Sequence, residues 1–307
     1  MRTIWEHALE SVRAGQRAVL VMVVDHQGSV PGTTGAAMVV SARGSVGTVG
    51  GGTAEHHAIE LARRFDSAPE LVDIEHTPDD SGSLCSGRHT MALVRLAGSD
   101  EATLAAICDA LQSGRVGTLR LSRLGLSFEP GATAPLPLTT DPAGFRFAAT
   151  VGKLDTLTIV GGGHCALALS RVMATLPFRI VVLDDRPDLP TLAANAFADE
   201  IRTVDYADLA AHVPAGDRSW VVVMTFGHVH DEAALRALVG RRVRYLGLLG
   251  SAAKVAAMFA GMRADGVPEE YLASIFAPIG LPIGSHTPEE IAISIAAEII
   301  RERNSAS

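Results

Sequence analysis

Three consecutive glycines, Gly161-Gly162-Gly163, stand between the apolar run Leu157-Thr-Ile-Val160 and a helical pattern opening at His164-Cys-Ala-Leu-Ala-Leu-Ser170. A second apolar run, Ile180-Val-Val-Leu183, then ends on Asp184 and Asp185. The order strand, glycine turn, helix, strand, acid is that of a dinucleotide-type βαβ unit. Gly161 and Gly163 let the backbone turn sharply and bring amide N–H groups, with the positive end of the following helix, to an anion. Asp184 falls about 20 residues downstream, where such folds place an acid on a ribose hydroxyl. Ala166 stands in the third small position. The motif implies a phosphate-bearing ligand, with a nucleotide at the turn as one possibility, and does not by itself imply a dehydrogenase.

Two further glycine-dense segments, Gly28-Ser-Val-Pro-Gly-Thr-Thr-Gly-Ala36 and Gly47-Thr-Val-Gly-Gly-Gly-Thr-Ala-Glu55, each adjoin an apolar run. Gly50, Gly51 and Gly52 directly precede a helical pattern and expose amides to an approaching anion. Glu55, in the first helical turn, either serves the helix dipole or bonds a ligand. Cys85 stands in the polar loop Asp80-Ser-Gly-Ser-Leu-Cys-Ser-Gly-Arg-His89. A loop thiol near Arg88 and His89 could ionise and act as a metal ligand or nucleophile, although a lone cysteine is more often inert. Cys108 belongs to the helical pattern Leu104, Ile107, Leu111 and reads as core; Cys165 is expected to pack beneath the glycine turn. His228 and His230 would face the same way on an extended segment, as two ligands of one ion must. No third ligand has a fixed spacing to them, and His56 and His57, adjacent on a helix, diverge. No Gly-x-Ser-x-Gly elbow follows a strand, so a Ser-His-Asp hydrolase is disfavoured.

Positioning these residues takes two domains, which 307 residues allow. The composition, 48% hydrophobic and 20% charged, is that of a globular α/β protein. A net charge of −8 and a pI near 5.7 argue against nucleic-acid or anionic-membrane partners, whose binding rests on clustered Lys and Arg. No apolar stretch is long enough for a membrane span, no signal segment is visible, and cytoplasmic residence is the expectation. Three cysteines without zinc or redox spacing make structural disulfides unexpected.

The spacing predicts helices over residues 3–14, 53–65 and 101–111, and strands over 18–24, 36–40, 45–49 and 91–96. Residues 127–153, rich in Pro, Gly and Thr, read as a linker between an N-terminal domain, 1–126, and a C-terminal one, 154–307. In the latter, apolar runs at 157–160, 179–183, 220–225 and 245–249 alternate with helical patterns, which predicts a doubly wound, mostly parallel sheet. Thr287, Pro288 and Glu290 form a capping box ahead of Ile291, Ile295 and Ile299, which fall on one helix face.

These motifs together resemble the accessory proteins of xanthine dehydrogenase and related molybdenum hydroxylases, the XdhC/CoxI type. The resemblance is carried by Gly28-Ser-Val-Pro31 with Gly35-Ala-Ala-Met38, Gly47 to Glu55, the Cys85 loop, the Gly161 turn with Asp184-Asp-Arg186, Tyr245-Leu-Gly-Leu-Leu-Gly-Ser251 with Lys254, and Pro278-Ile-Gly280 leading to Thr287-Pro-Glu-Glu290. It implies an N-terminal XdhC/CoxI-like α/β domain and a C-terminal Rossmann-like domain. It implies a non-catalytic, homodimeric chaperone that binds the molybdenum cofactor (molybdopterin), shields it while a cysteine desulfurase or other sulfurase replaces an oxo ligand with sulfur, and inserts it into an apo-hydroxylase such as xanthine dehydrogenase. Cys85 would be the metal ligand; Gly50, Gly51, Gly52, Glu55, Gly161, Gly163, His164, Asp184, Ser251 and Lys254 would complete the cofactor-binding set. The chain departs from the family pattern at Gly32, where Arg is usual, at Ser86 in the Cys-Gly-Gly loop, at Phe226 and Gly227 in place of His-Asp after Thr225, and at Ala252. Two other classes stay open: an NAD(P)-dependent oxidoreductase on the same βαβ unit, and a scaffold that has lost its ligand.

Overall fold

The computed structural model describes residues 4–28, 30, 32–76, 87–131 and 133–305. They divide into two compact units, residues 1–152 and 153–307. In the first, α1 (Ile4–Arg13) leads into β1 (Ala18–Gly28), followed by β2 (Ala37–Ser41), β3 (Gly44–Gly47), α2 (Gly52–Arg64), β4 (Glu70–His76), β5 (Gly87–Leu96) and α3 (Glu101–Gln112). The strands form an antiparallel sheet in the order β3-β2-β1-β5-β4. Ala18 to Val24 is an unbroken apolar run because β1 is central and buried on both faces. Leu20, Met22 and Val24 pack toward α1 and α3, while Val19, Val21 and Val23 pack toward Ala58 and Ala62 of α2.

The expected linker is not a connecting segment. After β6 (Gly117–Ser122), residues 127–153 lie largely in β7 (Gly125–Pro130), β8 (Leu136–Asp141) and β9 (Gly144–Val151), an antiparallel sheet ordered β7-β6-β9-β8. Phe145 and Phe147 of β9 join Leu119 and Leu121 in the core that α1 and α3 share, so the segment belongs to the first unit. Pro and Gly are tolerated because β7 and β8 are edge strands with mostly exposed residues.

The second unit runs β10 (Asp155–Val160), α4 (His164–Met173), β11 (Phe178–Asp184), α5 (Pro190–Ala193), β12 (Glu200–Thr203), α6 (Leu209–His212), β13 (Gly216–Val223), α7 (His228–Ala237), β14 (Val243–Leu248), α8 (Ala252–Ala264), α9 (Glu269–Ala273) and α10 (Pro288–Asn304). The five strands are parallel, in the order β12-β11-β10-β13-β14. Leu157 and Ile159 face α4 and α10, whereas Val160, Val221 and Val223 face the layer that includes α7 and α8. The doubly wound expectation holds. Chain order reverses between β10 and β13, which opens a crevice at their carboxyl ends.

Two ties hold this unit's far end. The Thr287 hydroxyl accepts the Glu290 amide at 3.2 Å while Glu290 Oε2 accepts the Thr287 amide at 3.1 Å, so the capping box at the start of α10 is formed. Ile295 and Ile299 are fully buried and Ile291 packs beside them. Tyr245 of β14 donates to Glu298 of α10 at 2.7 Å, and the same oxygen accepts the Gly280 amide at 2.9 Å.

Candidate functional site

In the first unit the two glycine segments lie against each other. Gly32 has φ +88°, and a Cβ there would stand 2.5 Å from the Val49 carbonyl oxygen. Backbone conformation and space both demand glycine here, which accounts for the missing arginine. Gly50, Gly51 and Gly52 all have positive φ, and no side chain caps α2 at Gly51. The anion seat that they build is filled from within. Glu55 Oε2 accepts the Thr48 hydroxyl at 2.5 Å, the Gly51 amide at 3.2 Å and the Val49 amide at 3.4 Å. Any external anion at this nest competes with a carboxylate already in place. Cys85 and Ser86 lie outside the described residues.

In the second unit the carboxyl edge of the sheet gathers Gly161, Gly163, His164 and Asp184 with Ser251 and Lys254. Gly161, at φ +107°, passes so close to the Met224 carbonyl that no Cβ fits. Gly163 differs: its φ of −73° suits any residue, and a Cβ there would meet nothing within 4 Å. Neither strain nor packing calls for glycine at 163, and the space beside the start of α4 is open. His164 is exposed at that helix start. Ser251 caps α8, accepting the Lys254 amide at 3.4 Å, and the Lys254 side chain is exposed.

Asp184 departs from its expected task. Its side chain is 0% exposed, Oδ2 accepts the Gly162 amide at 2.6 Å, and the Arg186 guanidinium closes on both oxygens at 2.9 and 3.0 Å. The Arg186 amide adds a fourth bond at 2.9 Å. Burial opposes the charge, yet the bonds from Arg186 and Gly162 outweigh it and hold the carboxyl below the usual aspartate range. With its acceptors so engaged, Asp184 braces the glycine turn against β11 and is not presented to a ribose. An arginine two residues after the acid was the available signal.

The loop after β13 is pinned in the same manner. Buried Asp231 accepts the Thr225 amide at 2.9 Å and the Thr225 hydroxyl at 2.6 Å. Burial, only partly offset by Thr225, pushes its carboxyl up. His228 and His230 do not converge, because they open α7 and two positions along a helix point to different sides. Among the described residues no group of three or more His, Cys, Asp or Glu could hold a metal ion. Cys108 is buried in the core, and burial, with Glu6 and Asp109, raises its thiol. Half-buried Cys165 is raised by burial and by Glu289, so the helix start does not make it a thiolate. Among the described residues no helix is long and apolar enough to cross a membrane.

Phe226, Arg186 and His230 come together as a group that no spacing in the sequence indicates. The Phe226 ring centroid lies 4.2 Å from the Arg186 guanidinium carbon and 4.1 Å from the His230 ring centroid.

Comparison with known proteins follows the same division. Residues 157–299 match the model of the XdhC Rossmann domain, and residues 11–74 match that of the XdhC and CoxI family. An uncharacterized protein of Escherichia coli (strain K12), YqeB, is 28% identical over 296 residues, 94% of this chain; the chain spans 44% of that relative's length. A protein of Bacillus subtilis (strain 168) described as a probable xanthine dehydrogenase subunit is 26% identical, with 94% of each chain covered. A crystal structure described as a xanthine dehydrogenase from Bacillus halodurans superposes with a TM-score of 0.76 at 23% identity, covering 100% of this chain and 97% of that one, and shares the fold.

Proposed function

The chain belongs to the XdhC and CoxI family, and from that premise we propose that it is an accessory protein of a xanthine dehydrogenase-type molybdenum hydroxylase, which carries the molybdenum cofactor as cargo. The observation that carries this reading is that both units match models of one family, together more than half of the chain. The Bacillus subtilis relative, whose name is that of a xanthine dehydrogenase component, supports the choice of partner.

The residues present fit such a cargo in one respect. The pterin bears a phosphate, and α4 begins at Gly163 with no capping side chain and open space beside it. His164 and Lys254, exposed at the starts of α4 and α8, can add donors or positive charge at the same edge. Cys85 is the soft ligand we assign to the metal. The cargo brings the molybdenum chemistry; the chain's own task is to hold it, exclude water from it and release it. In this reading a cysteine desulfurase supplies sulfur to the cargo, the apo-hydroxylase receives it, and the chain acts in the cytoplasm as a homodimer without a catalytic residue of its own. An NAD(P)-dependent oxidoreductase is the weaker reading, because Asp184 is bound to Arg186 and Gly162 where a ribose hydroxyl would need it.

The experiment is transfer. Cofactor freed from a donor protein is added anaerobically to an apo-xanthine dehydrogenase with and without the full chain. The proposal expects faster and more complete recovery of hydroxylase activity with the chain present; recovery that is indifferent to it contradicts the proposal.

A further inference from the structure

Helix α10 is apolar on its outer side as well as its inner one. Ile295 and Ile299 are buried in the core, yet Ile293 is 53% exposed and Ile300 38%, with half-buried Ala297 between them. Spacings of four and three residues put these three on one stripe. A helix face left to water would carry charged side chains, and isoleucine is among the weaker helix formers. Neither solvation nor propensity accounts for the two exposed isoleucines.

Beside this ridge lies a groove of about 540 Å³, lined by Leu167, Ala168 and Val172 of α4, by Phe197 and by Ile293. Two charges complete the lining, Arg171 in the last turn of α4 and Glu289 in the first turn of α10. Among the described residues neither has an ion-pair partner; Arg171 only rests over the Phe197 ring, its guanidinium carbon 5.9 Å from the centroid. One face thus holds a ridge, a groove and an unpaired charge of each sign.

The two helices run in the same direction. α10 begins near Cys165, whose thiol Glu289 raises, and ends with Arg303 over the Phe178 ring, beyond the end of α4. A two-fold axis that lays a second α10 antiparallel to the first therefore brings its acidic start to the end of α4, where the base stands. Parallel docking would set like charges together. Another protein would have to present both a ridge and matching charges, whereas a second copy does so by symmetry.

We propose that the chain's homodimer, part of the proposed function and a premise here, forms through this face. The α10 helices cross antiparallel near Ala297, a residue small enough to let them approach closely. Each lays Ile293 and Ile300 into the groove of the other, and Arg171 meets Glu289 of the partner subunit. The contact is isologous, so every pairing occurs twice.

The test is sedimentation equilibrium of the cofactor-free full chain. Wild type is compared with Ile293→Glu, Arg171→Glu, Glu289→Arg and the double charge reversal, and with Leu124→Glu as a control, a residue 99% exposed at a hairpin tip of the first unit. The wild type should weigh twice the 32.1 kDa of the chain. Ile293→Glu sets two carboxylates into the apolar contact and should weaken the dimer about a hundredfold, and each single reversal about tenfold. The double reversal should restore it, and Leu124→Glu should leave it unchanged. The three substituted side chains are exposed, so the variants should keep the fold, which near-ultraviolet circular dichroism of Trp220 checks. Cofactor transfer is read separately, so failure of this interface is distinguishable from failure of the cargo. A monomeric wild type would overturn the proposal. So would a dimer that Ile293→Glu leaves intact, which would give the face to a different protein, or a double reversal no tighter than the single ones.

Discussion

The Asp184 carboxylate receives the Gly162 amide at 2.6 Å, which joins the acid at the end of β11 to the middle glycine of the turn after β10. Arg186 completes the joint from the other side. The motif that suggests nucleotide recognition is thus drawn inward, and its acid stiffens the loop it would otherwise serve.

Asp184→Asn should destabilise the second unit by about 2–3 kcal/mol at neutral pH, since it weakens a buried, charge-assisted set of bonds whose cation is itself partly exposed. Burial raises this carboxyl, but Arg186 and Gly162 lower it further, so its folded pKa lies below the unfolded one. Its contribution is present above the ordinary aspartate range and fades as pH falls through the depressed folded value. Denaturant melts of a Trp5→Phe background, which leaves Trp220 as the reporter, should show an acid loss in the wild type that Asp184→Asn flattens. Equal acid slopes would count against the brace.

Glu55→Gln should empty the first unit's nest of charge while keeping its size. The expected cost is about 1 kcal/mol of stability, with a stronger response to inorganic sulfate as a thermal stabiliser. A variant that sulfate protects no better than the wild type would show that the carboxylate is not the nest's anion.

The chain has three tyrosines, and all are raised: Tyr206, Tyr245 and Tyr271 first by burial, Tyr206 then by Asp184 and Asp185, and Tyr245 then by its bond to Glu298. A raised phenol supports folding below its unfolded pKa and withdraws that support as pH climbs past about 10. Phenolate absorbance should therefore be absent from the folded chain at that pH and appear with alkaline unfolding. A reversible phenolate titration near 10 in the folded chain would contradict the burial of these hydroxyls.

Thr287→Ala removes one half of the capping box of α10 and should cost about 1 kcal/mol. Tyr245→Phe, which takes a donor from buried Glu298, should cost about 1–2 kcal/mol. The two sites lie at opposite parts of α10, Thr287 at its start and Glu298 eleven residues on, so the effects should add. Chemical denaturation of the double variant checks this.

Much of this architecture was legible in the sequence where periodicity is strong. The run Ala18 to Val24, the alternation after Leu157 and the Thr287 cap each gave the element found. Residues 127–153 were misread because their Pro, Gly and Thr content masks short period-2 pairs, Leu126 with Phe128 in β7 and Phe145 with Phe147 in β9, that pack on the first unit's core. At the site, glycine positions were readable but the partners of the acids were not. Nothing in spacing tells that Glu55 turns back to Thr48 and Gly51, or that Arg186 claims Asp184 before any ligand can. The pairing of Phe226 with Arg186 joins loops 40 residues apart and needs the parallel sheet to exist first.

The central claim, that this chain carries a molybdenum cofactor, meets its most direct test in anaerobic loading followed by molybdenum analysis and fluorescence of the oxidised pterin. The comparison is wild type, Cys85→Ala, and Cys165→Ala as a control whose raised thiol gives it no reason to bind metal. The account predicts pterin and molybdenum in equal amounts on the wild type and on Cys165→Ala, with both lost from Cys85→Ala. A wild-type chain that retains neither would contradict it.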